Sequence, residues 1–271
     1  MISKAVIPAA GFGTRMLPAA KAVPKEMLPI LDRPTIQYVV EECADANVSD
    51  VLLITSRDKP ALENHFARNP ELEQRLAAGG RAELLTPIEQ LLARVKVHSV
   101  LQPSQRGLGD AVFSGGAASP ARQLVDAFRE FGTSVIGLEE VPLEKVERYG
   151  VVGGTTIREG VIKIDTLVEK PSRDTAPSRL AIAARYVLTP AIFECLERTP
   201  PGKGGEVQLT DAIRLLLERE AVHGVVLSAR RHDIGNPIDW LKTNLVFASR
   251  DAATWSQIAP MLRALLDVGD G

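Results

Sequence analysis

Asp50-Val51-Leu52-Leu53-Ile54-Thr55 is apolar on both faces. A strand with one wet face alternates apolar and polar residues, whereas an unbroken apolar run marks a strand covered on both sides in a parallel sheet. Working back from it, residues 34–47 place Ile36, Val39, Val40 and Cys43 at i, i+3, i+4 and i+7, which is one face of a helix. Residues 2–7 read as an earlier strand that ends in Pro8 and a glycine-rich turn. Working forward, 59–67 and 70–77 read as helices and 95–101 as a strand. Residues 120–131 set Leu124, Val125, Phe128 and Phe131 on one helical face, and 134–141 is a further strand. This alternation predicts a parallel α/β sheet with helices on both faces. After residue 149 the pattern changes. Strand-like runs at 149–153, 160–169 and 180–188 predict a mixed or antiparallel extension. Helices follow at 190–198 and 208–220, a strand at 222–228, and helices at 237–249 and 252–267.

The chain has 271 residues, 45% hydrophobic and 24% charged, which is enough for a full core without metal or disulfide staples. The net charge of −2 argues against nucleic acid or an anionic membrane as partner, since both need a basic surface. No apolar stretch reaches the ~18 residues that span a membrane. The first residues lack the long apolar run of a signal peptide, so a cytoplasmic location is expected. Cys43 and Cys195 have neither framework nor metal-ligand spacing and read as buried free thiols.

Pro8-Ala9-Ala10-Gly11-Phe12-Gly13-Thr14-Arg15-Met16-Leu17-Pro18 directly follows the first strand. Glycines let the backbone approach a ligand closely, and successive N–H groups in such a turn can cradle phosphates. Arg15 adds a planar fork suited to phosphate oxygens. The spacing is neither the dinucleotide fingerprint nor a P-loop. A plain tight turn with a surface arginine is the competing reading. In Lys21-Ala22-Val23-Pro24-Lys25-Glu26-Met27-Leu28-Pro29-Ile30, prolines fix an irregular backbone around Lys25, whose charge could neutralise a reacting phosphate.

These two blocks together resemble the signature of the bacterial sugar-1-phosphate nucleotidylyltransferases, and within them the uridylyl branch. The resemblance continues in Gln102-Pro103 with Gly107-Leu108-Gly109, in Arg148-Tyr149-Gly150-Val151-Val152 and in Val168-Glu169-Lys170-Pro171. It extends through Arg185-Tyr186-Val187-Leu188-Thr189-Pro190, Gly205-Glu206-Val207-Gln208-Leu209-Thr210-Asp211 and Asp233-Ile234-Gly235.

The resemblance implies a Rossmann-like mixed, mostly parallel sheet flanked by helices, of the nucleotide-diphospho-sugar transferase type. It implies one domain over 1–271, with a nucleotide-binding part at 1–148, a sugar-phosphate part at 149–235 and C-terminal helices at 236–271. The implied reaction transfers a uridylyl group from UTP to glucose 1-phosphate and releases pyrophosphate. Ala9, Ala10, Gly11, Gly13, Thr14, Glu26, Gln102 and Gly107 would bind the nucleotide. Arg15, Lys25 and Lys170 would be catalytic. Gly150, Glu169, Lys170 and Glu206 would hold the sugar phosphate, and Asp233 would ligate Mg²⁺. A homo-oligomer, dimer or tetramer, is expected.

One departure stands out. In the family a helix and then a buried strand with terminal acidic residues follow the Gly-Leu-Gly block, and that strand end holds the metal together with the later aspartate. Here Ala111-Val112-Phe113-Ser114-Gly115-Gly116-Ala117-Ala118-Ser119 runs directly into the helix at 120–131. One central strand is therefore expected to be missing. Asp110 and Asp126 are the nearest acids, but neither matches the missing ligand. The alternatives are a binding relative that has lost catalysis, and a transferase for another sugar 1-phosphate or for dTTP.

Overall fold

The computed structural model describes residues 2–102, 111–201 and 207–268. Strand β1 (Lys4–Pro8) leads through the glycine loop to the short pair β2 (Pro29–Ile30) and β3 (Arg33–Pro34). Helix α1 (Thr35–Asp45) and β4 (Asp50–Thr55) follow, then α2 (Pro60–Phe66), α3 (Pro70–Ala78), α4 (Thr86–Arg94) and β5 (Lys96–Leu101). Next come β6 (Ala111–Ser114), α5 (Pro120–Phe131) and β7 (Val135–Glu140). The second half holds β8 (Gly150–Arg158), β9 (Val161–Glu169), β10 (Leu180–Val187), α6 (Ala191–Arg198) and α7 (Leu209–Leu217). It ends with β11 (His223–Val226), β12 (Arg230–Asp233), α8 (Pro237–Arg250) and α9 (Ala252–Val268).

Strands β1, β4 and β5 form a parallel sheet in the order β1-β4-β5, with Val6 opposite Leu52 and Leu52 opposite His98. Val51 and Leu53 are fully buried, as the apolar run of β4 requires. Five other strands close on themselves in the order β10-β7-β11-β9-β8. Within them β11 is parallel to β7, while β8, β9 and β10 are antiparallel to their neighbours, as the change of pattern after residue 149 predicts. One buried cluster joins both sheets, since Val51, Leu53 and Leu62 pack with Leu124, Val135, Ala183 and Val225. Helix α5 packs against β7, β10 and β11 and against α1. The Ser119 hydroxyl accepts from Arg122 N–H at its start, and Gly132 closes it at φ 69°.

Among the described residues β1 pairs only with β4, so its other edge is open and Val6 is 57% exposed. Comparison with the sequence reading adds the short strands β2, β3, β6 and β12 and the helix α4. Residues 111–114, read as a direct passage into the helix, form the short strand β6, antiparallel to β12 with Ala111 opposite Asp233. Four residues are too few to display a period. Helix α4 also went unassigned, although Ile88, Leu91 and Leu92 stand at helical spacing behind Pro87.

Candidate active site

Parallel strands deliver their carboxyl ends to one side of a sheet, where open α/β folds bind ligands. Here those ends carry the glycine loop after β1, Thr55 at the end of β4 and Gln102 after β5. Ala9 N–H donates to Ile54 O at 2.7 Å and Gln102 N–H to Thr55 O at 2.8 Å, which ties the three together. The Thr55 hydroxyl is buried without a partner among the described residues.

Within the loop, Ala9 and Ala10 are buried, while Thr14 and Arg15 are exposed. Gly13 has φ 65° and ψ 28°, a left-handed conformation open to glycine at no steric cost, and it starts the single turn Thr14–Met16. The stem of Lys25 runs against it. A Cβ added to Gly13 would lie 3.2 Å from Lys25 Cδ and 3.3 Å from its Cβ and Cγ. One added to Gly11 would lie 3.8 Å from Lys25 Nζ. The loop and Lys25 thus meet as the reading of the two blocks requires. Lys25 also lies 4.0 Å from Glu26.

Glu26 is buried, and both its oxygens accept from Lys59 Nζ at 2.9 Å. Lys59 also donates to Ala9 O at 2.8 Å and Gly11 O at 2.6 Å. Sequence reasoning missed Lys59. Its only signal is its place a few residues beyond the end of a buried parallel strand.

Arg15 lies beside Asp233, with Gly235 between them. A Cβ on Gly235 would lie 2.9 Å from Arg15 Nη2 and 3.0 Å from Asp233 Oδ1. Asp233 Oδ1 accepts from Gly235 N–H at 2.8 Å. Among the described residues no three His, Cys, Asp or Glu side chains gather into a metal cluster. A lone aspartate beside the glycine loop fits Mg²⁺, which binds through one or two carboxylates and takes its remaining ligands from phosphates and water.

A second cluster forms where β8 pairs with β9. Gly150 is opposite Glu169, and a Cβ on Gly150 would lie 3.2 Å from Glu169 Oε2. Thr210, at the start of α7, donates its hydroxyl to Glu169 Oε2 at 2.8 Å. Lys170 Nζ lies 3.3 Å from Glu169 Oε1, and its backbone, at φ 47°, donates to Tyr149 O. Burial, reinforced by the Glu169 charge, raises the Tyr186 phenol above its ordinary value. Arg231 pairs with Glu139 and stacks over Tyr149 at 4.7 Å. Thr210 belongs to the Leu-Thr-Asp block, yet its role as the partner of Glu169 was not read from it. Gly107, Asp110 and Glu206 lie outside the described residues. Asp126 pairs with Arg129 on the outer face of α5.

The histidines have neighbours of their own. His65 meets Gln37, His98 meets Asp50, His223 meets Thr133, and His232 meets Ser114 at 2.6 Å. Both cysteines are buried free thiols, and burial pushes Cys43 up to about 12. A cleft of about 400 Å³ opens beside residues 111–120, between Tyr38, Glu42 and Asp45 of α1 and Phe113 and Ser114 of β6. It contains none of the expected site residues.

The profile of the nucleotidyl transferase family matches residues 4–250. The chain belongs to the nucleotidyl transferase family. It is 41% identical to the UTP–glucose-1-phosphate uridylyltransferase of Bacillus subtilis (strain 168), with 98% of each chain covered. That alignment runs over 285 positions, more than the 271 residues of this chain, so the relative carries positions that this family member lacks. The UTP-bound UDP-glucose pyrophosphorylase of Acinetobacter baumannii superposes with a TM-score of 0.89 at 33% identity, covering 97% of this chain and 99% of that one. A UDP-glucose pyrophosphorylase complexed with UDP-glucose superposes with a TM-score of 0.83 at 34% identity, over 93% and 100% of the two chains. No helix among the described residues of this transferase is long and apolar enough to cross a membrane.

Proposed function

We propose that the chain transfers the uridylyl group of UTP to glucose 1-phosphate, giving UDP-glucose and pyrophosphate. The observation that carries this reading is the packing of Lys25 against the Gly11 to Gly13 turn, which puts a cation under a loop built to approach phosphate. In the reaction an oxygen of the sugar phosphate attacks the α-phosphorus of UTP and pyrophosphate departs. Such a step asks for in-line positioning and charge neutralisation more than for covalent help. The backbone from Ala9 to Thr14 holds the triphosphate, with Lys25 by the α-phosphate and Arg15 by the leaving β- and γ-phosphates. Gln102, together with Gly107, reads the uracil edge. Gly150 and Glu169 receive sugar hydroxyls, with Glu206 beside them, and Thr210 holds the Glu169 carboxylate in place. Lys170, more than half exposed, is available to the sugar phosphate. Asp233 would hold Mg²⁺, which would supply charge neutralisation on the phosphates. The reading places the activity in the cytoplasm, as one domain that assembles into a homo-oligomer. Exposed Ile238, Leu241 and Leu245 along one face of α8, with Met261 and Leu265 on α9, support the assembly.

The open edge of β1 and the longer relatives favour one competing reading, a nucleotide-binding relative without turnover. Pyrophosphate release from UTP and glucose 1-phosphate with Mg²⁺, beside UTP binding by calorimetry, separates the two. Release supports the transferase. Binding without release selects the competitor, and absence of both refutes the two together.

A further inference from the structure

We propose that Lys59 is a positioning residue that sets the direction of the phosphate loop's N–H groups. The proposal rests on the nucleotide role of that loop. A lysine ammonium has three protons. Here it meets four acceptors at 2.6–2.9 Å, two of them the oxygens of one carboxylate. One proton goes to Ala9 O, one to Gly11 O, and the third is shared across Glu26. With its side chain 5% exposed, Lys59 has no donor left for a phosphate. Its effect on a ligand therefore passes through the backbone.

That effect follows from peptide geometry. In a trans peptide the carbonyl and the following N–H point to opposite sides of the chain. Drawing Ala9 O and Gly11 O inward onto one ammonium turns Ala10 N–H and Phe12 N–H outward. Among the described residues neither N–H donates to the protein. Two alternate amides of the loop are thus held facing the side on which an anion would sit, before any ligand arrives. Such a nest binds anions through preorganised donors, and the ordering cost is met during folding instead of on binding. Glu26 then acts from beneath the loop as the counter-charge that lets an ammonium stay buried, in place of the direct nucleotide contact that the resemblance implies. Lys25, on the neighbouring turn, keeps the part of the cation that faces substrate.

Lys59→Met alone would remove the ammonium that both oxygens of the buried Glu26 meet at 2.9 Å, so the informative comparison is Glu26→Gln against Lys59→Met/Glu26→Gln. The two differ only in the ammonium. Calorimetry with UTP is expected to show the double variant binding about tenfold or more weaker than Glu26→Gln, a loss of about 1.4 kcal/mol or more. In turnover the KM for UTP should rise while the KM for glucose 1-phosphate stays put, a split that general destabilisation would not produce. Equal UTP affinity in the two variants overturns the proposal. A second measurement needs neither a variant nor a nucleotide. In the wild-type protein the Lys59 ammonium protons, followed by nitrogen-15 NMR, should exchange with water at least about tenfold more slowly than those of the exposed Lys4 and Lys96. Exchange at the rate of exposed lysines overturns the clamp. Protected ammonium protons in a protein that binds no UTP would refute the transferase reading and leave the clamp standing.

Discussion

Gly13→Ala separates two consequences of one methyl group. The first is conformational. Gly13 sits at φ 65°, where an L-residue is disfavoured by about 1–2 kcal/mol. For a chain of this size that corresponds to a melting temperature lower by about 2–4 °C. The second is a contact. The new Cβ would stand 3.2–3.3 Å from three carbons of the Lys25 stem, so that stem must give by a few tenths of an ångström. Lys25 is 11% exposed and has little room to move. A reacting group displaced by about 1 Å can cost about 100-fold in rate, and a smaller shift here should cost about tenfold. Gly80→Ala is the matched control. Gly80 also has φ 65°, but a Cβ there meets nothing within 4 Å. Both variants should lose similar stability by differential scanning fluorimetry. Only Gly13→Ala should lose pyrophosphate release at saturating UTP and glucose 1-phosphate. Equal turnover in the two variants would refute the argument that the loop and Lys25 are packed as one unit.

Thr210→Val removes the hydroxyl that holds Glu169 Oε2 and should raise the KM for glucose 1-phosphate several-fold with the KM for UTP unchanged; a rise confined to UTP would contradict the assignment of the second cluster. Asp233→Asn keeps an Oδ1 acceptor for Gly235 N–H, so it should melt like wild type yet lose Mg²⁺-dependent release, and full turnover would exclude Asp233 as the ligand. Burial, then the charges of Arg230 and Arg250, lower His232 from 6.5 to about 4. The unfolded chain therefore takes up a proton between those values that the folded chain does not, and stability, complete above pH 6.5, falls as the pH drops towards 4. His232→Gln should flatten the fall of melting temperature over that range, leaving the smaller contributions of His65 and His223, which are also lowered; an unchanged slope would show that His232 is not its source.

The sheet was legible because β4 is apolar without a break from Val51 to Ile54, and because Gly11 and Gly13 interrupt the chain just where β1 ends. Glu169 and Gly150 stand in separate blocks of the sequence, and only the antiparallel register of β8 and β9 makes them neighbours. Thr210 could be read as a motif residue but not as the partner of Glu169, because a contact 41 residues apart depends on where α7 docks. Lys59 was hidden for a similar reason. A buried lysine looks like any surface lysine until its acceptors converge, and these come from residues 33 to 50 positions away. The pairing of β6 with β12 was not legible, because an antiparallel contact between two four-residue strands leaves no trace in either one.

The open edge of β1 bears on how the molecule behaves among its own copies. An unpaired strand edge is a template for adding foreign strands, and chains that keep one tend to blunt it with shortness, lysine and proline. Strand β1 has all three: it is five residues long, opens with Lys4 and closes with Pro8. A second strand sliding along it would have to accommodate a charge at one end and a position without an N–H at the other. Among the described residues the edge of β1 is thus bracketed by a charge and a proline, which guard Ala5, Val6 and Ile7 against a foreign strand.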